Sequence, residues 1–325
     1  MQSQSGAGGN KKRLQDGLKV FSGSSACDLT TAICAELGLP PGRVERTKYY
    51  NDCTFVRIEE HVRGCDVFLV QTASPPVNDN FMELLMLIDA LKGASARRVT
   101  AVLPFFFYAQ SDQKDRGRIS IAARLAADLL HAAGVDRVLT IDLHAGQIQG
   151  FMHCPTDQLT AMPILCDYFA SGDLRNTVAA ATDVGRARRV REFARRLDLG
   201  LAIVDKERLD SEHVVARHVI GDVRGKRVLL FDDLIGLGGS LVEATRLLLE
   251  MGALEVRAGA VHGVLARDAV QRLEASALTE IVVTDTLPMA GLARSAKIKV
   301  VSVAPILAAA IRRIHNDESV SELYT

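Results

Sequence analysis

The sequence predicts an α/β protein of two similar domains, each a mainly parallel sheet flanked by helices. Three observations carry that expectation. Short β-branched runs alternate with longer segments of helical periodicity, the signature of βαβ units. The strand runs are almost unbroken in their apolar character, as strands buried on both faces of a sheet must be. The chain also echoes itself: RVTAVLPF, a polar loop and SIAARLAADLLHAAGVDRVLTIDLH (120–144) can be laid against RVLLFDD, a Gly-rich loop and SLVEATRLLLEMGALEVRAGAVH (240–262). Each copy runs strand, loop, helix opening on Ser, strand ending on His, which fits two α/β domains better than one large sheet.

Taken in order, DVFLVQ (66–71) is the first clear strand, and MELLMLIDALK (82–92) follows with helical spacing and a closing lysine. RVTAVLPF (98–105) is a strand, SIAARLAADLLHAAG (120–134) a helix ending on glycine, and RVLTIDL (137–143) the next strand. Later come the strands LAIVD (201–205) and RVLLFDD (227–233), the helix SLVEATRLLLEMG (240–252), and the strands VRAGAVH (256–262) and EIVVTDT (280–286). The expected boundary lies near residue 160, dividing a domain at 18–160 from one at 161–325, with residues 1–17 as a disordered tail. A crevice between such domains, at the carboxyl ends of strands, is the expected ligand site.

Composition narrows the function class. The 325 residues carry 39 Lys and Arg against 39 Asp and Glu, so no net positive charge marks the chain for a nucleic-acid backbone. The first seventeen residues lack the apolar core of a signal peptide, and no apolar run approaches the roughly 18 residues of a membrane span. A cytoplasmic protein without membrane or nucleic-acid partners is expected. The six cysteines show no CxxC pair and no zinc-like spacing, which fits free thiols in a reducing compartment.

FDDLIGLGGS (231–240) carries the chemistry, because it stands where a strand ends and a helix begins. Glycines there let backbone N–H groups point at an anion, and the helix N-terminus adds partial positive charge, so a phosphate is the natural guest. The stretch supplies neither GxGxxG nor GxxxxGK[ST]. Its two carboxylates are instead acceptors for the vicinal hydroxyls of a sugar whose phosphate lies in the loop.

A D-D pair followed by a Gly-Gly-hydroxyl loop resembles the ribose-phosphate loop of phosphoribosyltransferase-type folds. Further segments are similar to the ribose-phosphate pyrophosphokinase (PRPP synthetase) family: DLHAGQIQGFMHCPTD (142–157), VRGCDVFLVQ (62–71), NDNFMELLMLIDALK (78–92) and AIRRIHNDESVS (310–321). The likeness runs from about residue 18 to the end. It implies two phosphoribosyltransferase-type domains and transfer of the β,γ-diphosphoryl group of Mg-ATP to the 1-hydroxyl of ribose 5-phosphate, giving PRPP and AMP. By the same resemblance, His144 and Asp183 are the metal-site residues for Mg²⁺, with His144 also near the ATP phosphates. Lys206 and Arg208, in VDKERLD (204–210), are the catalytic cations. Asp232 and Asp233 take the ribose hydroxyls, and Gly236, Leu237, Gly238, Gly239 and Ser240 surround the 5-phosphate. The family forms dimers that assemble into hexamers, which implies a homo-oligomer or a hetero-oligomer with an active paralogue.

Departures from the family pattern cluster at substrate positions. Gly236 and Leu237 replace the usual Asp-Thr of the loop, and one lost hydrogen bond to a charged group costs about 1.5–3 kcal/mol, or roughly ten- to a hundredfold in affinity. Near ATP, YYNDC keeps Tyr49 and Asn51 but has Cys53 in place of a carboxylate. Gln110 replaces an arginine, with Ser111 beside it. In TDVGRARR (182–189), Arg186 stands where a second Gly is usual; narrowing of a backbone approach and a replacement charge are both open readings. A working synthetase with altered affinities and a non-catalytic paralogue that regulates active subunits are the competing expectations. A plain phosphoribosyltransferase fits the tandem plan less well.

Overall fold

A computed structural model describes residues 17–208, 214–289 and 295–324, with the backbone alone at 206–208, 214–217 and 324. The tail expected at 1–17 thus lies, apart from Gly17, outside the described residues. In chain order the structure runs β1 (Leu18–Ser22), α1 (Cys27–Leu37), β2 (Val44–Lys48), β3 (Thr54–Ile58), β4 (Asp66–Val70), α2 (Val77–Gly93), β5 (Arg98–Leu103), α3 (Ala122–Ala132), β6 (Arg137–Ile141) and β7 (Thr156–Leu159). Next come α4 (Met162–Ala170), β8 (Thr177–Ala181), α5 (Ala187–Arg196), β9 (Gly200–Arg208), β10 (Val214–Ile220), β11 (Arg227–Ile235) and α6 (Gly239–Glu250). The chain continues through β12 (Glu255–Gly263), α7 (Ala269–Ala275), β13 (Glu280–Thr284), β14 (Ile298–Val301) and α8 (Ala304–His315).

These elements gather into two compact units. The first comprises the described part of Met1–Thr160 with Thr286–Pro288 and Ala304–Thr325; the second comprises Ala161–Asp285 and Met289–Val303. In the first, β1-β4-β5-β6-β7 form a parallel sheet, and β2 and β3 pair separately as an antiparallel hairpin. Every residue of β4 is buried, which explains the apolar run that follows Asp66. Leu84, Leu87, Ile88 and Leu91 of α2, spaced three and four apart, close on the core with Ala123, Ala126 and Leu130 of α3. The polar residues of the NDNFMELL segment are structural: Asn80 donates to the Ser74 carbonyl at 2.8 Å, and Glu83 accepts from the Ser24 backbone and hydroxyl at 2.6 Å each.

The C-terminal helix departs from the expected 161–325 span, because α8 belongs to the first unit. Leu307, Ala308, Ile311 and Ile314 are buried along one stripe of α8, and α8 packs on α1. A polar knot adds to this: the fully buried Asp66 of β4 accepts from Arg98 Nε at 2.7 Å and Nη2 at 2.5 Å and lies 2.9 Å from His315 Nδ1. Arg98 also donates to the Ile314 carbonyl at 2.8 Å. The AIRRIHNDESVS segment therefore closes the unit that β4 and β5 begin.

The second unit holds a seven-stranded sheet in the order β10-β9-β8-β11-β12-β13-β14, parallel except for β10 on β9. Side chains alternate faces along β11. Phe231 stacks on Phe193 of α5 with centroids 4.4 Å apart, whereas Val228 and Leu230 join a core with Leu241, Ala244 and Leu248 of α6. Helices thus cover both faces of a mainly parallel sheet, as the sequence predicts. No helix among the described residues is long and apolar enough to cross a membrane.

Candidate functional site

The strand order of the second unit reverses between β8 and β11. From β8 the chain moves outward to β9, and from β11 it moves the other way through β12, β13 and β14. Loops leaving neighbouring strands at such a reversal diverge, opening a crevice at their carboxyl ends where open α/β sheets hold ligands. The residues Thr182, Asp183 and Arg186 follow β8 there, and Asp232 and Asp233 lie near the end of β11.

These residues form one hydrogen-bonded cluster. Thr182 Oγ1 donates to Asp232 Oδ2 at 2.6 Å, and the Asp233 backbone N–H donates to Asp232 Oδ1 at 2.8 Å. Arg186 Nη1 donates to Asp233 Oδ2 at 2.7 Å, while its Nε lies 3.4 Å from Asp232 Oδ1. Asp183 caps the turn at Val184–Arg186, its Oδ1 accepting from the Arg186 backbone N–H at 3.1 Å. Burial pushes the Asp232 carboxyl above the usual carboxylate range; the hydrogen bond and charge of Asp233 act in the same direction, against Thr182 and Arg186.

The loop after β11 is shaped for close approach. Strand pairing runs past the two aspartates, with Leu234 opposite His262 and Ile235 opposite Gly263, so β11 is two residues longer than expected. Gly238 then takes φ +76°, and a Cβ there would sit 3.2 Å from the Leu273 side chain. Only glycine adopts that backbone without strain. Immediately afterwards α6 begins, carrying Gly239 and Ser240 in its first turn. Gly236 and Leu237 form the rest of the loop, whose carbonyl at Gly236 accepts from the Ala266 N–H at 3.1 Å.

In the first unit the remaining candidates fall into two places. Gln110 and Ser111 follow β5, and His144 follows β6, its neighbour in the sheet. The two loops are tied by Gln147 Nε2 donating to Asp112 Oδ2 at 2.8 Å. Ser111 is occupied structurally: its hydroxyl donates to the Ser120 carbonyl at 3.1 Å and accepts from the Ala122 N–H at 3.3 Å, where α3 begins. Tyr49, Asn51 and Cys53 sit instead at the exposed tip of the β2–β3 hairpin. Asn51 Oδ1 accepts from the Cys53 N–H at 3.3 Å, and Tyr49 meets Phe55 edge-on at 5.6 Å.

His144 and Asp183 fall in different units. Among the described residues no group of three His, Cys, Asp or Glu side chains converges to hold a metal ion. Lys206 and Arg208 lie on β9, their backbones opposite Ala216 and Val214 of β10; their side chains lie outside the described residues. Thr182, Asp112 and Gln147 complete these clusters and were not singled out from the sequence. Thr182 offered a signal of its own as the hydroxyl beside Asp183 at a strand end.

Two family models match the chain in separate parts. Residues 18–134 match a family model described as the N-terminal domain of ribose phosphate pyrophosphokinase, and residues 213–325 match one described as a phosphoribosyl synthetase-associated domain. The chain is 47% identical over 309 residues to a ribose-phosphate pyrophosphokinase of Clostridium acetobutylicum, covering 94% of this chain and 97% of that one. It is 48% identical over 313 residues to a protein of the same name from Deinococcus radiodurans, covering 95% and 98%. A crystal structure of phosphoribosylpyrophosphate synthetase from Mycobacterium smegmatis superposes with a TM-score of 0.87 at 39% identity, covering 93% of this chain and all of that one.

Proposed function

We infer that this chain, which belongs to the ribose-phosphate pyrophosphokinase family, transfers the β,γ-diphosphoryl group of ATP to the 1-hydroxyl of ribose 5-phosphate. The observation that carries the reading is the Asp232–Asp233 pair at the sheet's switch point, followed directly by the Gly238 turn and the start of α6. Adjacent carboxylates suit a vicinal diol, and a glycine-opened loop at a helix N-terminus suits the phosphate on the same sugar.

In the reaction, the ribose O1 attacks the β-phosphorus, the bond from that phosphorus to the α–β bridging oxygen breaks, and AMP leaves with that oxygen. The 1-hydroxyl proton passes to solvent. Such a transfer depends on positioning and charge neutralisation rather than on a covalent enzyme intermediate. Asp232 and Asp233 orient the ribose ring, and Gly236, Leu237, Gly238, Gly239 and Ser240 hold its phosphate. Lys206 and Arg208, two apart on one strand, supply cations to the moving diphosphoryl group, with Arg as a fork and Lys as a point charge. Tyr49, Asn51, Cys53, Gln110, Ser111 and His144 are assigned to ATP.

Mg²⁺ fits the donors present. It keeps several waters and binds through one or two carboxylates plus substrate phosphates rather than a protein cage; the Asp183 carboxylate is an oxygen donor of that kind, and the His144 imidazole is assigned a lesser role. When bound, Mg²⁺ neutralises phosphate charge. A soluble homo-oligomer in the cytoplasm is the setting this assignment implies. Product identity tests the reading: ³¹P NMR of the protein with Mg-ATP and ribose 5-phosphate should show AMP and PRPP appearing in equal amounts. ADP with a ribose bisphosphate, the products of moving a single phosphoryl group, would overturn it.

A further inference from the structure

We propose that Arg186 is an internal occupant of the ribose-diol site, a guanidinium that holds Asp232 and Asp233 in the free protein and must be displaced when ribose 5-phosphate binds. The proposal rests on the functional reading above, because it takes these two carboxylates as the diol acceptors. Its own basis is geometric. Arg186 Nη1 is 2.7 Å from Asp233 Oδ2 and Nε is 3.4 Å from Asp232 Oδ1, so one planar group spans both side chains. The remaining Asp232 oxygen is taken by Thr182 at 2.6 Å. Asp233 is almost completely buried, and the Arg186 guanidinium that lies on its Oδ2 is itself only partly exposed.

Two hydroxyls of a ribose donate to the same oxygens that this guanidinium contacts. Sugar and arginine therefore compete for one set of acceptors. The segment that carries Arg186 is short and capped by Asp183, with Arg186 itself in ordinary helical backbone at φ −89° and ψ −10°. Swinging the side chain away thus needs only rotamer changes. A glycine at this position would remove the guanidinium from both carboxylates. This arginine is then a specificity-determining residue that sets affinity for the sugar phosphate without taking part in the chemistry. If the closed arrangement dominates, apparent affinity falls by the fraction of molecules that are open. A latch made of charge-assisted hydrogen bonds supports a ten- to hundredfold effect, to order of magnitude.

The test compares the full chain with Arg186→Ala, Arg186→Gly and Arg186→Lys. Ribose 5-phosphate binding is measured by calorimetry without ATP, and KM and kcat are measured with saturating Mg-ATP. Helical backbone at residue 186 accommodates alanine, and thermal melts check that each variant is folded. The expected result is a ribose 5-phosphate Kd and KM roughly ten- to a hundredfold lower in Arg186→Ala and Arg186→Gly, an intermediate value in Arg186→Lys, and kcat changed much less than KM. A Kd that rises in the alanine and glycine variants would make Arg186 a ligand-binding residue and overturn the latch. A lowered melting temperature with unchanged Kd would leave only a structural role and also overturn it. Failure of the functional reading is read separately: no AMP or PRPP from any variant discards the reaction, while the calorimetric comparison still decides whether Arg186 guards a sugar-phosphate site.

Discussion

At the scale of single residues, the candidate site was legible wherever a residue's role is fixed by its place in the chain. Asp232, Asp233 and the glycines after them announce themselves because a strand end, a glycine run and a helix start are all local features. Arg186 did not declare its ion-pair partners, since they lie 46 and 47 positions away and only the sheet order joins β8 to β11. Thr182 showed only as a hydroxyl at a strand end, and its pairing with Asp232 was hidden for the same reason. The loop's two nearby glycines give a residue-scale prediction. Gly238→Ala introduces a left-handed residue and a Cβ against Leu273, and should destabilise the protein by about 1–3 kcal/mol while raising KM for ribose 5-phosphate. Gly236 has open space around its Cβ position, so Gly236→Ala should change stability by less than about 0.5 kcal/mol. Thermal or chemical denaturation of the two variants checks the contrast; equal losses would refute the account of the turn.

At the scale of elements, periodicity located the buried strands and the long amphipathic helices well. It stopped β11 at the aspartates because polar residues normally end a buried strand, whereas pairing with β12 carries it on to Ile235. It also shortened α2 by the turn Val77–Phe81, where Asn78, Asp79 and Asn80 interrupt the apolar pattern although Asn80 is buried and bonded. The strand β9 carries the element-scale prediction. Lys206 and Arg208 flank one residue on it, so replacing both by alanine should remove most turnover, by at least about a hundredfold if each cation contributes a charge-assisted contact of ~1.5–3 kcal/mol. Circular dichroism and melting temperature should remain those of the parent. Retained turnover in the double variant would move the catalytic cations elsewhere.

At the scale of the whole molecule, the two-part α/β plan was readable from the alternation of strands and helices, but the return of α8 to the first unit was not. An amphipathic C-terminal helix looks the same in sequence whichever sheet it covers. The choice is made by its packing on α1 and by the Asp66 knot, contacts spanning more than two hundred positions. Burial alone would push the Asp66 carboxyl up, yet the hydrogen bonds from His315 and Arg98 and their charges outweigh it and hold it below the usual range. With its folded pKa below the unfolded one, Asp66 contributes stability that is complete above the ordinary carboxylate pKa of about 4 and is lost as pH falls through the folded value. Denaturation midpoints should therefore drop in that acid window, and less steeply in Asp66→Asn. Asp66→Ala should cost about 3–5 kcal/mol at neutral pH, because it leaves Arg98 without its buried counter-charge. A pH-independent midpoint between 5 and 3 would contradict the role of the knot.

Every role assigned above requires that the chain be a working diphosphokinase despite the substitutions at its substrate positions. The direct measurement is the initial rate of AMP and PRPP formation by the purified chain alone, with Mg²⁺ and ATP saturating and ribose 5-phosphate raised well above ordinary working concentrations. The account predicts both products at equal rates, a saturable dependence on ribose 5-phosphate, and loss of both in the Lys206→Ala, Arg208→Ala variant. No product from folded protein at saturating substrate would contradict it and leave the chain a non-catalytic member of its family.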